Sequence, residues 1–199
     1  MSSPTGAEPP PVLNIANVLT VLRLLLVPVF AWALFAHSGQ DVDWRLGAFT
    51  IFVAAAVTDR FDGELARRRG LVTAFGTIAD PIADKALMGT ALMGLSALHL
   101  LPWWITVVIL GREIGITLLR FAVLRHGIIP ASRGGKAKTL VQTVAIGLYV
   151  LPLPELVGGS DLVEGARWAL MMMAVVLTVA TGIDYVLRAI RLRSAAPAG

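Results

Sequence analysis

The stretch DRFDGELARRRGLVTAFGTIADPIAD, residues 59–84, sets four aspartates between two segments that otherwise read as membrane-spanning helix. Asp59 and Asp62 are three apart and Gly63 is four from Asp59, so on a helix all three share one face. Gly76, Asp80 and Asp84 repeat at intervals of four and form a second stripe. Two helices can therefore aim four carboxylates into one pocket. Without compensation in a low-dielectric setting these groups would repel one another until some took up protons. One divalent cation, or a pair, removes that penalty. All-oxygen ligands with no Cys or His nearby suit a hard ion, Mg²⁺ first and Mn²⁺ second, and Mg²⁺ usually works beside substrate phosphates.

Outward from this stretch, the chain is strongly apolar. Its 199 residues are 56% hydrophobic and 15% charged, with a mean hydropathy of +0.76, which is too apolar for a soluble domain of this size. A bilayer-spanning helix needs about 20 apolar residues, so with short loops the chain holds about six spans in one domain. The expected fold is all-α, a polytopic membrane protein with six transmembrane helices. The absence of Cys excludes disulfides, zinc thiolates and thiol nucleophiles, so chemistry must run on oxygen and nitrogen. The net charge of +4 and pI near 10.1 fit Lys and Arg holding helix ends on the cytoplasmic side. No basic face with interleaved aromatics appears, so no nucleic-acid partner is expected.

Residues 1–13 carry Pro4, Pro9, Pro10 and Pro11 among small and polar neighbours and read as a disordered tail. No basic n-region precedes an h-region, so a cleaved signal peptide is not expected. The domain runs from 14 to 193, and 194–199 form a second tail. Span one is Asn17 to Ala36, with Pro28 as a potential kink, and His37 to Asp43 is a short loop. Span two runs from about Trp44 through Phe61 and continues as a more polar helix to Arg69, with a turn at Gly70–Ala74. Span three, about Phe75 to Leu98, has Pro81 in its early turns, where a missing N–H is tolerated best. Span four, Pro102 to about Leu124, carries Arg112 and Glu113 near its middle, which requires a polar cavity or mutual pairing. His126 to Lys138 reads as a basic loop, Thr139 to Leu153 as span five, Pro154 to Gly165 as an acidic loop and Ala166 to Leu187 as span six.

Orientation follows from the Lys and Arg distribution. With the N-terminus inside, the two-three loop has Arg60, Arg67, Arg68 and Arg69, the four-five loop Arg120, Arg125, Arg133, Lys136 and Lys138, and the tail Arg188, Arg191 and Arg193. The outer loops have only Arg45 and Arg167. Both termini and the aspartate pocket are then cytoplasmic, in a plasma or inner membrane.

Written as a pattern, residues 59–84 are D-x2-D-G-x2-A-R-x8-G-x3-D-x3-D, with Asp59, Asp62, Gly63, Ala66, Arg67, Gly76, Asp80 and Asp84 at the fixed positions. This resembles the signature of the CDP-alcohol phosphotransferase family. NIANVLTVLRLLLVP at 14–28, REIGITLLR at 112–120 and GGKAKTLVQ at 134–142 are similar to its bacterial members that use CDP-diacylglycerol and glycerol 3-phosphate. The resemblance covers roughly residues 14 to 190. It implies transfer of a phosphatidyl group from CDP-diacylglycerol to the hydroxyl of glycerol 3-phosphate, with release of CMP. It also implies Asp59, Asp62 and Asp80 as metal ligands for Mg²⁺ or Mn²⁺, as two ions, with Asp84 as both ligand and general base. Spacing alone does not say which carboxylate is the base.

The bland alternative, that these aspartates only pair with Arg60, Arg67 or Lys85, leaves four acids on two stripes, more than local pairing needs. Gly63 and Ala66 would let a nucleotide approach the helix backbone, and they equally suit small-residue helix packing. Arg67 can fork onto a pyrophosphate oxygen. The family places Thr73 near cytidine. Asn17 and Thr20, three apart, share a face that could reach nucleotide, with Arg23 near it, and a cap role for Asn17 is the competing reading. Arg112, Arg120, Lys136 and Lys138 supply more positive charge than a pyrophosphate needs, so they are candidates for an acceptor phosphate. For the lysines, positive-inside topology is the plainer explanation. His37, His99 and His126 receive no role. Other acceptors within the same chemistry are phosphatidylglycerol, giving cardiolipin, and an inositol phosphate. An ion-coupled transporter is disfavoured, because its acids belong at the midplane of broken helices. The expected partners are the two substrates and the lipid bilayer, and a homodimer is compatible with the chain.

Overall fold

The computed structural model describes residues 15–69, 74–123 and 133–195, and side chains within them apart from 16, 60–69, 74–78, 80, 121–123, 133–134 and 192–195. Every regular element among these residues is helical: α1 (Ile15–Phe35), α2 (Val42–Arg69), α3 (Ala74–Ala97), α4 (Trp103–Val123), α5 (Arg133–Val150), α6 (Leu153–Val157) and α7 (Asp161–Ala195), plus a 3-10 turn at Ala36–Gly39. The all-α expectation holds. The chain divides into two compact units, Met1–Thr90 and Ala91–Gly199. The segments Asn17–Gly39 and Asp161–Arg191 are long and apolar enough to cross a membrane.

In the first unit, α1 and α2 pack as an antiparallel hairpin. His37, Ser38 and Gly39 all take positive φ, which reverses the chain within a few residues. Asp41 then accepts a hydrogen bond from the Trp44 backbone N–H at 3.0 Å, so the side chain caps α2, which starts at Val42. Trp32 and Trp44 meet edge to face at 4.7 Å near this connection. One turn deeper Phe30 and Phe52 are both buried, 5.8 Å apart. The buried stripe of α1 is apolar at Phe30, Ala33 and Leu34 but polar at Asn17, Thr20 and Arg23. The opposite face exposes Leu22, Leu25, Val29 and Trp32, as a hydrocarbon-facing surface requires. Asn17 lies inside α1, which excludes the N-cap reading.

In the second unit, α4 and α5 both pack on α7. The end of α3 is closed by His99 at φ 58, with Leu100 N–H reaching Leu95 O and His99 N–H reaching Ser96 O. The buried Ser96 and Thr106 hydroxyls are 2.7 Å apart, and Thr106 donates to Leu92 O at 3.1 Å, tying α3 to α4. At the start of α7, Ser160 Oγ accepts from Val163 N–H at 3.3 Å, with Asp161 and Glu164 in the first turn.

Several details differ from the sequence reading. Arg133–Lys138 belong to α5, so Lys136 and Lys138 are helical residues and not loop residues. The acidic segment 154–165 contains α6 and the first turn of α7, because its acids favour a helix N-terminus. Pro81 is the eighth residue of α3, beyond the first turn, and cannot donate to the carbonyl four residues earlier, at position 77. The expected turn at 70–73 and the residues around His126 lie outside the described residues.

Lipid is as apolar as the protein interior, so the Phe30–Phe52 contact stabilises through packing more than through removal from water. Phe30→Ala should therefore lower stability in detergent by about 2 kcal/mol, below the ~3–5 kcal/mol typical of a soluble core. Thermal unfolding of the purified variant checks this.

Candidate active site

Two polar clusters interrupt otherwise apolar helices. In the first unit α2 is continuous to Arg69 and α3 begins at Ala74, so Asp59 and Asp62 share a face of α2 and Asp80 and Asp84 share a face of α3. Asp59 and Asp84 are half-buried. Asp59 Oδ1 accepts a hydrogen bond from the guanidinium of Arg23, which is 1% exposed on α1. The α1–α2 hairpin thus delivers a cation to the first aspartate of the pattern. This partner differs from Arg60, Arg67 and Lys85. It was legible as the third member of the series Asn17, Thr20, Arg23, whose three-residue spacing keeps them on one face. All three are buried there.

The side chains of Asp62, Gly63, Ala66, Arg67 and Asp80, and Thr73 entirely, lie outside the described residues. Among the described residues no group of three or more acidic or histidine side chains forms a metal site. The residue types nevertheless fit a hard divalent ion: two aspartates at helical spacing on each of α2 and α3, oxygen donors throughout, with no cysteine in the chain.

The second unit holds the other cluster. Glu113 on α4 accepts from Arg112 Nη1 at 3.0 Å and also from Lys138 Nζ on α5. Arg112 Nη2 donates to Thr181 Oγ1 on α7 at 3.0 Å. Arg120, two turns along α4, donates from Nε to Tyr185 OH at 3.4 Å, its guanidinium 5.9 Å from the ring centroid. Four of the expected acceptor residues are therefore placed: Arg112 partly buried, Arg120 and Lys136 exposed, and Lys138 buried at 4% exposure. Arg112, Lys138 and Glu113 form one connected group. That Arg112 and Glu113 need either a polar cavity or each other was readable from the sequence, and here they pair. The α7 partners were not, since Thr181 and Tyr185 carry no charge and sit in an apolar run.

The chain matches the family described as CDP-alcohol phosphatidyltransferase over residues 13–180. It is 57% identical over 178 residues to a Mycobacterium tuberculosis protein named "Probable phosphatidylglycerophosphate synthase", covering 89% of this chain and 82% of that one. It is 37% identical over 179 residues to the CDP-diacylglycerol–glycerol-3-phosphate 3-phosphatidyltransferase of Escherichia coli K12, covering 86% and 92%. The Bacillus subtilis protein of the same name is 33% identical over 187 residues, covering 86% and 93%.

Removing one partner of a buried ion pair costs about 3–5 kcal/mol. Since the Asp59 side chain is 38% exposed, solvent screens the pair and Arg23→Met should destabilise by about 2–3 kcal/mol, below that range. Adding Asp59→Asn should restore part of the loss. Unfolding midpoints of the single and double variants check it.

Proposed function

On the premise that the chain belongs to the CDP-alcohol phosphatidyltransferase family, we propose that it is a membrane phosphatidyltransferase acting on CDP-diacylglycerol and glycerol 3-phosphate, yielding phosphatidylglycerol phosphate and CMP. The observation that carries this reading is the complete aspartate signature at 59–84, supported by an arginine within α4, Arg112, that donates to Thr181 of α7. The names of the relatives support the acceptor.

Asp59, Asp62, Asp80 and Asp84 would hold Mg²⁺ or Mn²⁺, as two ions. When bound, such ions neutralise a pyrophosphate and polarise its phosphorus. Arg67 grips a pyrophosphate oxygen, while Gly63 and Ala66 leave the backbone of α2 open to nucleotide, and Asn17, Thr20 and Thr73 line the cytidine side. Asp84 takes the proton from the acceptor hydroxyl. The hydroxyl oxygen then attacks the phosphatidyl phosphorus, the bond from that phosphorus to the CMP oxygen breaks, and CMP departs with the electron pair. Arg112, Arg120, Lys136 and Lys138 hold the acceptor phosphate, whose roughly two negative charges exceed what the signature itself neutralises.

The same reading places 14–193 in one domain of six spans, with both termini and the site cytoplasmic. The Lys and Arg asymmetry supports it, as does a family match that runs through both compact units. Single cysteines introduced into this Cys-free chain report topology directly. Membrane-impermeant reagent applied from outside should label positions 38 and 160 and leave 132 unmodified.

Activity should vanish in EDTA and return with Mg²⁺ or Mn²⁺. Asp59→Asn, Asp62→Asn and Asp80→Asn should each lower kcat by on the order of 10²–10³-fold, as losing a preorganised charge in a phosphoryl site does. CMP release measures both. Arg112→Gln removes a charge-assisted contact worth about 1.5–3 kcal/mol, so the KM for glycerol 3-phosphate should rise roughly ten- to a hundredfold with that for CDP-diacylglycerol unchanged. Better turnover of inositol or phosphatidylglycerol by the unmutated protein would assign a different acceptor.

A further inference from the structure

The two arginines of α4 are each held by α7. Arg112 bonds Thr181, and Arg120 bonds Tyr185 and stands over its ring. Residue numbers rise together on both helices, so α4 and α7 run parallel here. Arg112 and Arg120 are eight residues apart, about 12 Å along a helix, whereas Thr181 and Tyr185 are four apart, about 6 Å. The anchors on α7 therefore draw the two guanidiniums towards each other along the axis.

Gly182 lies at the centre of this arrangement. A Cβ there would stand 3.1 Å from Arg112 Cγ and 3.5 Å from its Nε, so the stem of Arg112 rests directly on the backbone of α7. Arg112 Nε is buried and has no hydrogen-bond partner among the described residues, which leaves the orientation of the guanidinium to its two Nη contacts. Thr181 Oγ1 is itself fixed, donating to Leu177 O at 2.6 Å. A hydroxyl oriented by its own helix is a rigid acceptor for Nη2. Glu113 holds Nη1 on the other side and carries Lys138 with it.

We infer that Thr181, Gly182 and Tyr185 are positioning residues for a phosphate-bearing acceptor: α7 is a template that sets the spacing and direction of the Arg112 and Arg120 guanidiniums. A phosphomonoester is tetrahedral and takes a guanidinium best in a forked, planar contact. Two arginines free to rotate would lose most of their selectivity for it. This inference rests on the acceptor reading above and adds the elements that make the arginines selective.

The test is steady-state kinetics of the full-length protein in detergent with lipid, on Thr181→Val, Thr181→Ser, Gly182→Ala and Tyr185→Phe. Inorganic phosphate serves as a competitor against glycerol 3-phosphate. Thr181→Val keeps the shape and removes the hydroxyl, and Gly182→Ala displaces Arg112. Each should raise the KM for glycerol 3-phosphate about tenfold, weaken inhibition by phosphate in parallel, and leave the KM for CDP-diacylglycerol within about twofold, the signature of a lost site-specific contact. Thr181→Ser should return both constants to those of the unmutated protein, and Tyr185→Phe should raise the acceptor KM about threefold, in line with a weaker 3.4 Å contact. Unchanged acceptor constants in Thr181→Val and Gly182→Ala would overturn the inference while leaving the acceptor reading intact, as would equal changes in both substrates' KM or failure of Thr181→Ser to rescue. An unmutated protein that prefers an uncharged alcohol and is indifferent to phosphate would overturn both.

Discussion

A charge carried by a helix that faces hydrocarbon must be neutralised by a neighbour within hydrogen-bond reach, since no water is available to do it. The described helices bring buried and half-buried charges together in specific pairs. Arg23 of α1 meets Asp59 of α2, and Glu113 of α4 joins Arg112 to Lys138 of α5. Arg167 of α7 pairs with Glu164 at 2.6 Å and lies 4.4 Å from the Tyr149 ring of α5. The contacts that cross between helices, Arg23 to Asp59, Lys138 to Glu113 and Arg167 to the Tyr149 ring, each hold only at one register of the two helices. Between lipid-compatible helices, where apolar packing is nearly indifferent to sliding, these polar contacts specify which residues face which. Two of the candidate site residues, Asp59 and Lys138, are thus also ones that hold a pair of helices in register.

Much of this was legible. Helix positions and the all-α class follow from long apolar runs, while the capping by Asp41 and Ser160 inside segments read as loops was missed. The two aspartate stripes follow from spacings of three and four. Helix ends were misread where charge outweighed capping in the reading: GGKAK was assigned to a loop for its glycines and lysines, yet α5 already includes it, and the acids near 161–164 belong to a helix start. Burial of Lys138 was not legible either, because a lysine near the end of a span looks the same whether it reaches for headgroups or turns inward to a carboxylate. Partners contributed by distant, uncharged residues such as Thr181 and Gly182 have no periodic signature at all. They appear only when α4 and α7 are laid side by side.

The two basic residues that the sequence reading placed in outer loops, Arg45 and Arg167, lie near the starts of α2 and α7 and bear on the surrounding lipid. Arg45 and Arg167 are 2% and 4% exposed, each enclosed within its own unit, while Arg120, Lys136, Arg188 and Arg191 are exposed. In the proposed topology, anionic headgroups of the outer leaflet find no accessible cation on the described helices, and those of the inner leaflet find several. The annulus should be asymmetric, enriched in acidic phospholipid on one side only. In that topology it is the leaflet in which a negatively charged liponucleotide would be presented and a negatively charged product released, so the protein would concentrate around itself the class of lipid it handles.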